Sequence, residues 1–240
     1  MDKNSTTYTF GFALVVCVVC SLALASISEG LRSKKELNEV LDIKKNILKA
    51  VSLKEPVDPK ATPEELLKVY DAKIQELVID SSGKVAEGRD PHSIKEGESL
   101  YPLYLYKEGS AVVAYCFPIK GKGLWSTLYG YLAIESDAIT VRGISYYKHG
   151  ETPGLGAEIE KDWFQDNFKG KKIWDVDLHK LMPTAVVKGK VAEKIKDPKA
   201  AQYYVDGISG ATMTSKGVTE MLDRELHKYE SYLKTVRKAG

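Results

Sequence analysis

DGISGATMTS, Asp206 to Ser215, sets two glycines, an alanine and five hydroxyl or acidic side chains directly before a strongly periodic segment. That segment, Ser215 to Lys238, repeats Val218, Met221, Leu222, Tyr229, Leu233 and Val236 at helical spacing. It predicts a long amphipathic helix with one face in a core. Ser209, Thr212, Thr214 and Ser215 therefore stand at a helix entrance, where unpaired backbone N–H groups and the helix dipole favour an anion. Gly207, Gly210 and Ala211 leave the backbone open to close approach. The residues alone leave two readings, an anion site suited to a phosphate or an ordinary glycine turn with a helix cap.

Several catalytic motifs fail against this sequence. Gly207-Ile208-Ser209-Gly210-Ala211 departs from the hydrolase elbow at its last position, and His227, inside the periodic helix, is the sole histidine after it. No phosphate loop of the G-x-x-x-x-G-K-[ST] form occurs, and Gly154-Leu155-Gly156 lacks the third glycine of a dinucleotide fingerprint. Ser145-Tyr146-Tyr147-Lys148 fits S-x-x-K without its companion motifs and reads as strand. The histidines, His92, His149, His179 and His227, have no ligand spacing, so no metal site is expected. A formal net charge of +2 offers no basic groove, and no nucleic acid partner is expected.

Near the N-terminus, YTFGFALVVCVVCSLALASI, Tyr8 to Ile27, carries no charge. At about 1.5 Å per residue, a helix of about 20 residues crosses a hydrocarbon core of about 30 Å. The run is longer than a signal-peptide core, and only Lys3 stands against Asp2 before it, so an uncleaved membrane anchor is expected. Cys17 and Cys20 share one face of it as lipid-facing or packing residues. Arg32, Lys34, Lys35, Lys44 and Lys45 follow and favour a cytoplasmic C-terminal side by the positive-inside rule, which is weak for a long translocated domain.

The remainder reads as an α+β chain. An amphipathic helix covers Lys35 to Leu53, prolines break it within Lys54 to Ala61, and Thr62-Pro63-Glu64-Glu65 opens a second helix through Leu77 as a capping box. Strands follow at Leu103–Tyr106, Val112–Phe117, Leu128–Ile134 and Ile139–Tyr147, with a turn at Glu108-Gly109, suiting an antiparallel sheet with flanking helices. A helix is expected around Glu158 to Phe168 and a short strand near Ala185 to Val187. The expected organisation is a tail at 1–7, a transmembrane helix at 8–27, a helical stalk and connecting segment at 28–99, and a soluble domain at 100–240.

DGISGATMTS resembles the flavinylation motif of the FMN-binding subunits of bacterial respiratory complexes, in which the threonine closing S-G-A-T is joined to FMN by a phosphoester bond. HGETPGLG, His149 to Gly156, and GLWS, Gly123 to Ser126, match the same family. The two together favour the NqrC family of the Na+-translocating NADH:quinone oxidoreductase over the related flavin-bearing component of the Rnf complex. That threonine is Thr212 here. The resemblance implies an FMN-binding domain carrying covalent FMN, with Ser209, Gly210, Ala211, Asp206, Glu151, Thr152, Gly154, Leu155, Gly156, Trp125 and Ser126 around it. Pro153 and the two glycines suit the Glu151–Gly156 loop to lie against a planar ring, Leu155 giving apolar contact and Thr152 hydrogen bonds.

Asp206 is expected to serve the flavin transferase rather than FMN, since a carboxylate repels the phosphate. A helix starting near Thr214 or Ser215 is expected to stabilise that phosphate, with those two residues as caps. The resemblance further implies an electron carrier without a catalytic base, partnered by other subunits of a membrane respiratory complex, the flavin transferase during maturation, and membrane lipid. It implies a single-pass protein of the bacterial inner membrane with its soluble domain periplasmic, against the charge pattern. A membrane-tethered assembly protein without redox function is the alternative of a different class.

Overall fold

The computed structural model describes residues 6–51, 62–95, 97–175 and 179–239. The chain divides into two compact units, Met1–Asp42 and Ile43–Gly240. Helix α1 (Thr6–Val51) supplies the first unit and the opening turns of the second. In the first unit it is long and apolar enough to cross a membrane, with Phe10, Phe12, Leu14, Leu22 and Leu24 exposed. The apolar stretch and the start of the amphipathic stretch lie on one uninterrupted helix. Between Ile27 and Lys35 only Gly30 disfavours helix, and Arg32 pairs with Glu29 and Glu36 across successive turns. Leu53 and the proline break at Lys54–Ala61 lie outside the described residues.

In the second unit, helix α2 (Pro63–Lys73) opens on the expected capping box. The Glu65 N–H donates to Thr62 Oγ1 at 3.3 Å, and the Thr62 N–H donates to the Glu65 carboxylate at 2.8 Å. This helix stops at Lys73, short of the expected Leu77, because the next residues form strand β1 (Ile74–Asp80). Ile74 and Leu77 fit a helical spacing, yet pairing with β2 (Leu100–Glu108) from Ile74↔Tyr106 to Asp80↔Leu100 overrides it. Strands β3 (Ala111–Lys122), β4 (Thr127–Glu135) and β5 (Val141–Lys148) extend the ladder in the order β1-β2-β3-β4-β5, every neighbour antiparallel. Chain before residue 100 thus contributes the end of α1, α2 and β1 to this unit.

Alternation along the strands gives the sheet two buried faces. On one, Leu103, Leu105, Tyr115, Phe117, Ile119 and Leu132 join the core with Val218, Met221, Leu222, Tyr229 and Leu233 of the closing helix. Phe117 stacks on Tyr229 at 4.5 Å, and the Tyr229 hydroxyl donates to the Pro102 carbonyl at 2.9 Å. On the other, Cys116, Ala133 and Gly143 lie in register across β3, β4 and β5 as a stripe of small residues. The end of α1 seats near it: a Cβ on Gly143 would fall 2.5 Å from the Ala50 carbonyl, and Ser145 Oγ donates to the Asn46 carbonyl at 2.9 Å. Ile47, Leu48, Ala50 and Val51 are buried there.

The helix expected at Glu158–Phe168 is broken into a 3-10 turn (Gly156–Glu160), α3 (Asp162–Gln165) and a second 3-10 turn (Asp166–Phe168). Lys161, extended at φ −79° and ψ 143°, separates the first two. Short strands β6 (Trp174–Asp175) and β7 (Lys180–Leu181) pair antiparallel, and β8 (Ala185–Val186) pairs parallel with β9 (Tyr204–Val205). Between these last two lie α4 (Val191–Lys194) and α5 (Pro198–Ala201). Helix α6 (Thr212–Ala239) closes the fold. It begins at Thr212, three residues earlier than its apolar periodicity indicates.

Candidate functional site

The antiparallel order brings the C-terminal ends of β3 and β5 to one side of the sheet. Gly123-Leu124-Trp125-Ser126 is the β3–β4 turn, closed by the Gly123 N–H donating to the Ser126 carbonyl at 2.8 Å. Glu151–Gly156 follows β5. Helix α6 is drawn to the same place: a Cβ on Gly217 would sit 2.2 Å from the Lys122 carbonyl and 3.3 Å from Gly123 Cα. The three stretches singled out in the sequence therefore meet.

Their meeting point is the Glu151 carboxylate. Oε1 accepts the N–H groups of Trp125 at 2.9 Å and Ser126 at 3.1 Å. Oε2 accepts the Leu124 N–H at 3.1 Å and the Thr214 hydroxyl at 2.6 Å. Burial pushes the Glu151 pKa up, but the Thr214 hydroxyl and the N–H groups of Trp125, Leu124 and Ser126 outweigh it and hold the carboxyl below its ordinary value. Ser126 Oγ also binds this loop, accepting the Gly150 N–H at 2.5 Å.

The start of α6 differs from the expected cap. The Ser215 N–H donates to the Ala211 carbonyl at 3.0 Å, the first i→i−4 bond, so Ala211 holds the N-cap position and Thr212 the first helical one. Alanine has no side-chain acceptor there, which leaves the first-turn N–H groups without the usual cap. Thr214 and Ser215 do not cap the helix: both are buried, Thr214 bound to Glu151 and Ser215 Oγ accepting the Ile208 N–H at 3.5 Å. The Thr212 side chain is exposed.

The stretches that meet here expose apolar side chains. Trp125 is 72% exposed, and Leu124, Leu155 and Met213 are also exposed. Leu155 overlies Gly210, where a Cβ would lie 2.7 Å from its Cδ2, and Gly210 has φ 76°. The loop glycines divide their work. Gly154 adopts φ 74° with nothing near its missing side chain, whereas a Cβ on Gly156 would meet Thr214 Oγ1 at 2.6 Å and Glu151 Oε2 at 2.8 Å. Thr152 is exposed, its carbonyl accepting the N–H groups of Leu155 and Ala157. Ser209 is exposed beside Gly210.

Asp206 has internal partners. Oδ1 accepts the Val191 N–H at 2.7 Å and Oδ2 meets Lys190 Nζ at 2.9 Å. Burial raises its pKa, and the Val191 N–H and Lys190 overcome this and leave it lowered. The tie from Glu151 to Thr214 carries no signal in the sequence, because it joins residues far apart in the chain.

An exposed hydroxyl at the uncapped start of a long helix, flanked by exposed apolar side chains, offers a phosphate position beside a surface for a flat apolar ring. Residues 123–227 match the FMN-binding domain family, which defines the class of this domain. The chain is 33% identical to the Na(+)-translocating NADH-quinone reductase C subunit of Pseudomonas aeruginosa, over 99% of this chain and 98% of that protein. It is 31% identical to the corresponding Yersinia pestis protein, over 100% of this chain and 96% of the relative. The crystal structure of the C subunit from Parabacteroides distasonis superimposes with a TM-score of 0.70 at 35% identity, covering 85% of this chain and 96% of that one. This chain belongs to the NqrC family, the C subunits of Na(+)-translocating NADH-quinone reductases.

Proposed function

We propose that this protein carries FMN covalently, as a phosphoester of Thr212 Oγ1, and relays electrons between redox centres of a Na+-translocating NADH:quinone reductase. The observation that carries this reading is the exposed Thr212 hydroxyl at the first position of α6, behind an alanine N-cap. The first-turn N–H groups and the dipole of α6 would stabilise the negative charge of the ester phosphate. Leu155, Met213, Leu124 and Trp125 would supply the apolar contacts, Thr152 and Ser209 nearby polar ones, and Gly210 and Ala211 the room for close approach. Asp206 holds the 190–191 segment against the motif, within reach of the flavin transferase that would recognise this surface.

FMN, when bound, supplies one- and two-electron redox chemistry. No residue of this chain is required as a general acid or base. The apolar stretch of α1 anchors the protein, and the relatives' names support the other reductase subunits as its partners. In this reading the anchor lies in a bacterial inner membrane with the flavin domain, 100–240 with its helical lead-in, on the periplasmic side.

The test is a spectrum. Protein made in a host with the transferase is expected to keep a yellow chromophore through denaturation, and Thr212→Val is expected to lose it. A colourless wild-type protein from that host, or a Thr212→Val variant that stays yellow after denaturation, would refute the assignment.

A further inference from the structure

Three consecutive N–H groups, of Leu124, Trp125 and Ser126, converge on one carboxylate, and the Thr214 hydroxyl closes on it from α6. Successive N–H groups turned to one point form a concavity for an anion. Here the anion is the Glu151 side chain, which is 5% exposed. Those donors match the roughly four lone-pair sites of an ionised carboxylate, which leaves no acceptor for a ligand. The space is built around this group: a Cβ on Gly123 would lie 2.6 Å from Oε1, and one on Gly156 2.8 Å from Oε2.

We infer that Glu151 is a positioning residue. It locks the β3–β4 turn, the loop after β5 and the first turn of α6 into one frame, and does not itself touch the cofactor. The frame fixes Thr212 relative to Leu124 and Trp125, because Thr214 is two residues from Thr212 and the bonded N–H groups belong to the turn that presents the tryptophan. The inference deepens the proposed flavin seat and rests on that reading only for its functional consequence.

The test uses the full chain in detergent carrying Thr212→Val, so that attached flavin plays no part, and follows amide hydrogen–deuterium exchange by mass spectrometry. Glu151→Ala removes bonds to a charged acceptor and is expected to raise exchange by about tenfold or more in peptides covering 123–127 and 209–216 together. The part of α6 beyond Val218 is expected to hold its protection. Added acetate is expected to enter the vacated concavity and restore protection to both peptides. Glu151→Leu fills the space without an acceptor, and is expected to loosen both peptides with no response to acetate. The inference fails if Glu151→Leu keeps both peptides protected, if one loosens without the other, if exchange rises along all of α6, or if acetate restores nothing in Glu151→Ala. None of these outcomes depends on whether Thr212 carries FMN.

Discussion

Two glycines of one loop should respond unequally to alanine. In Gly156→Ala the new methyl would stand 2.6 Å from Thr214 Oγ1, 2.8 Å from Glu151 Oε2 and 2.9 Å from Glu151 Cβ. Both neighbours are buried and joined by a 2.6 Å hydrogen bond, so neither has a free direction to retreat. Overpacking of this kind costs about 1–3 kcal/mol, and lengthening a bond to a charged acceptor adds about 1.5 kcal/mol or more. The entropy that alanine removes from the unfolded chain returns only about 0.4–1 kcal/mol. A net loss of about 2–4 kcal/mol follows. Gly154→Ala meets no atom within 4 Å and pays only for φ 74°, about 1–2 kcal/mol before the same offset. The assay is urea unfolding of the detergent-solubilised chain by tyrosine and tryptophan fluorescence, with covalent flavin measured in parallel. Gly156→Ala should lose more stability and, with FMN attached as proposed, most of that flavin, while Gly154→Ala should keep it. Thr214→Ala removes the nearest clashing atom, so the double variant should be non-additive by about 1 kcal/mol. Strict additivity, or a larger loss of stability and flavin in Gly154→Ala, would refute the packing argument.

Other perturbations follow from the same contacts. Gly217→Ala gains about 1 kcal/mol of helix propensity, but its Cβ would fall 2.2 Å from the Lys122 carbonyl, backbone that cannot rotate away. The melting temperature should fall, by an amount corresponding to a net loss of about 1–3 kcal/mol. Asp206→Asn removes the charge that meets Lys190 and faces Lys171. Because the folded pKa of Asp206 is lowered, its stabilisation is present above the ordinary value near 3.8 and lost as pH falls through the folded value. Wild type should therefore exceed Asp206→Asn by about 1–2 kcal/mol at pH 7, a gap that closes toward strongly acidic pH in urea titrations.

The parts of the fold legible in sequence are those where one physical pattern stands alone. Helix α6 repeats its apolar residues on one face because it packs on one sheet, and β2 to β5 carry runs of consecutive buried residues because both faces of the sheet are covered. Strand β1 was obscured because Ile74 and Leu77 also satisfy a helical period, and only pairing with β2 decides between them. The site was legible as three separate stretches but not as a frame. A capping rule applied to hydroxyls gives Thr214 and Ser215 to the helix end, whereas Ala211 took the cap position and freed Thr214 to reach Glu151. Composition cannot reveal that choice, because it depends on where β3 and β5 deliver their loops.

The same geometry gives the proposed covalent attachment a physical reason. A relay must place its ring near donor and acceptor, which favours an open surface, and the exposure of Trp125, Leu124, Leu155 and Met213 is that of an open surface. Openness weakens retention, since a shallow site buries too little ligand area to offset the freedom lost on binding. The proposed bond at Thr212 would remove the need for affinity. What remains for the protein is aim, and aim rests on the attachment point. Thr212 is β-branched and stands on the first turn of a 28-residue helix whose later residues are buried in the core. Glu151 ties that turn to the loop bearing Trp125. Under the proposed attachment, retention and orientation would fall to different groups, the hydroxyl oxygen of the exposed Thr212 and the buried Glu151 carboxylate.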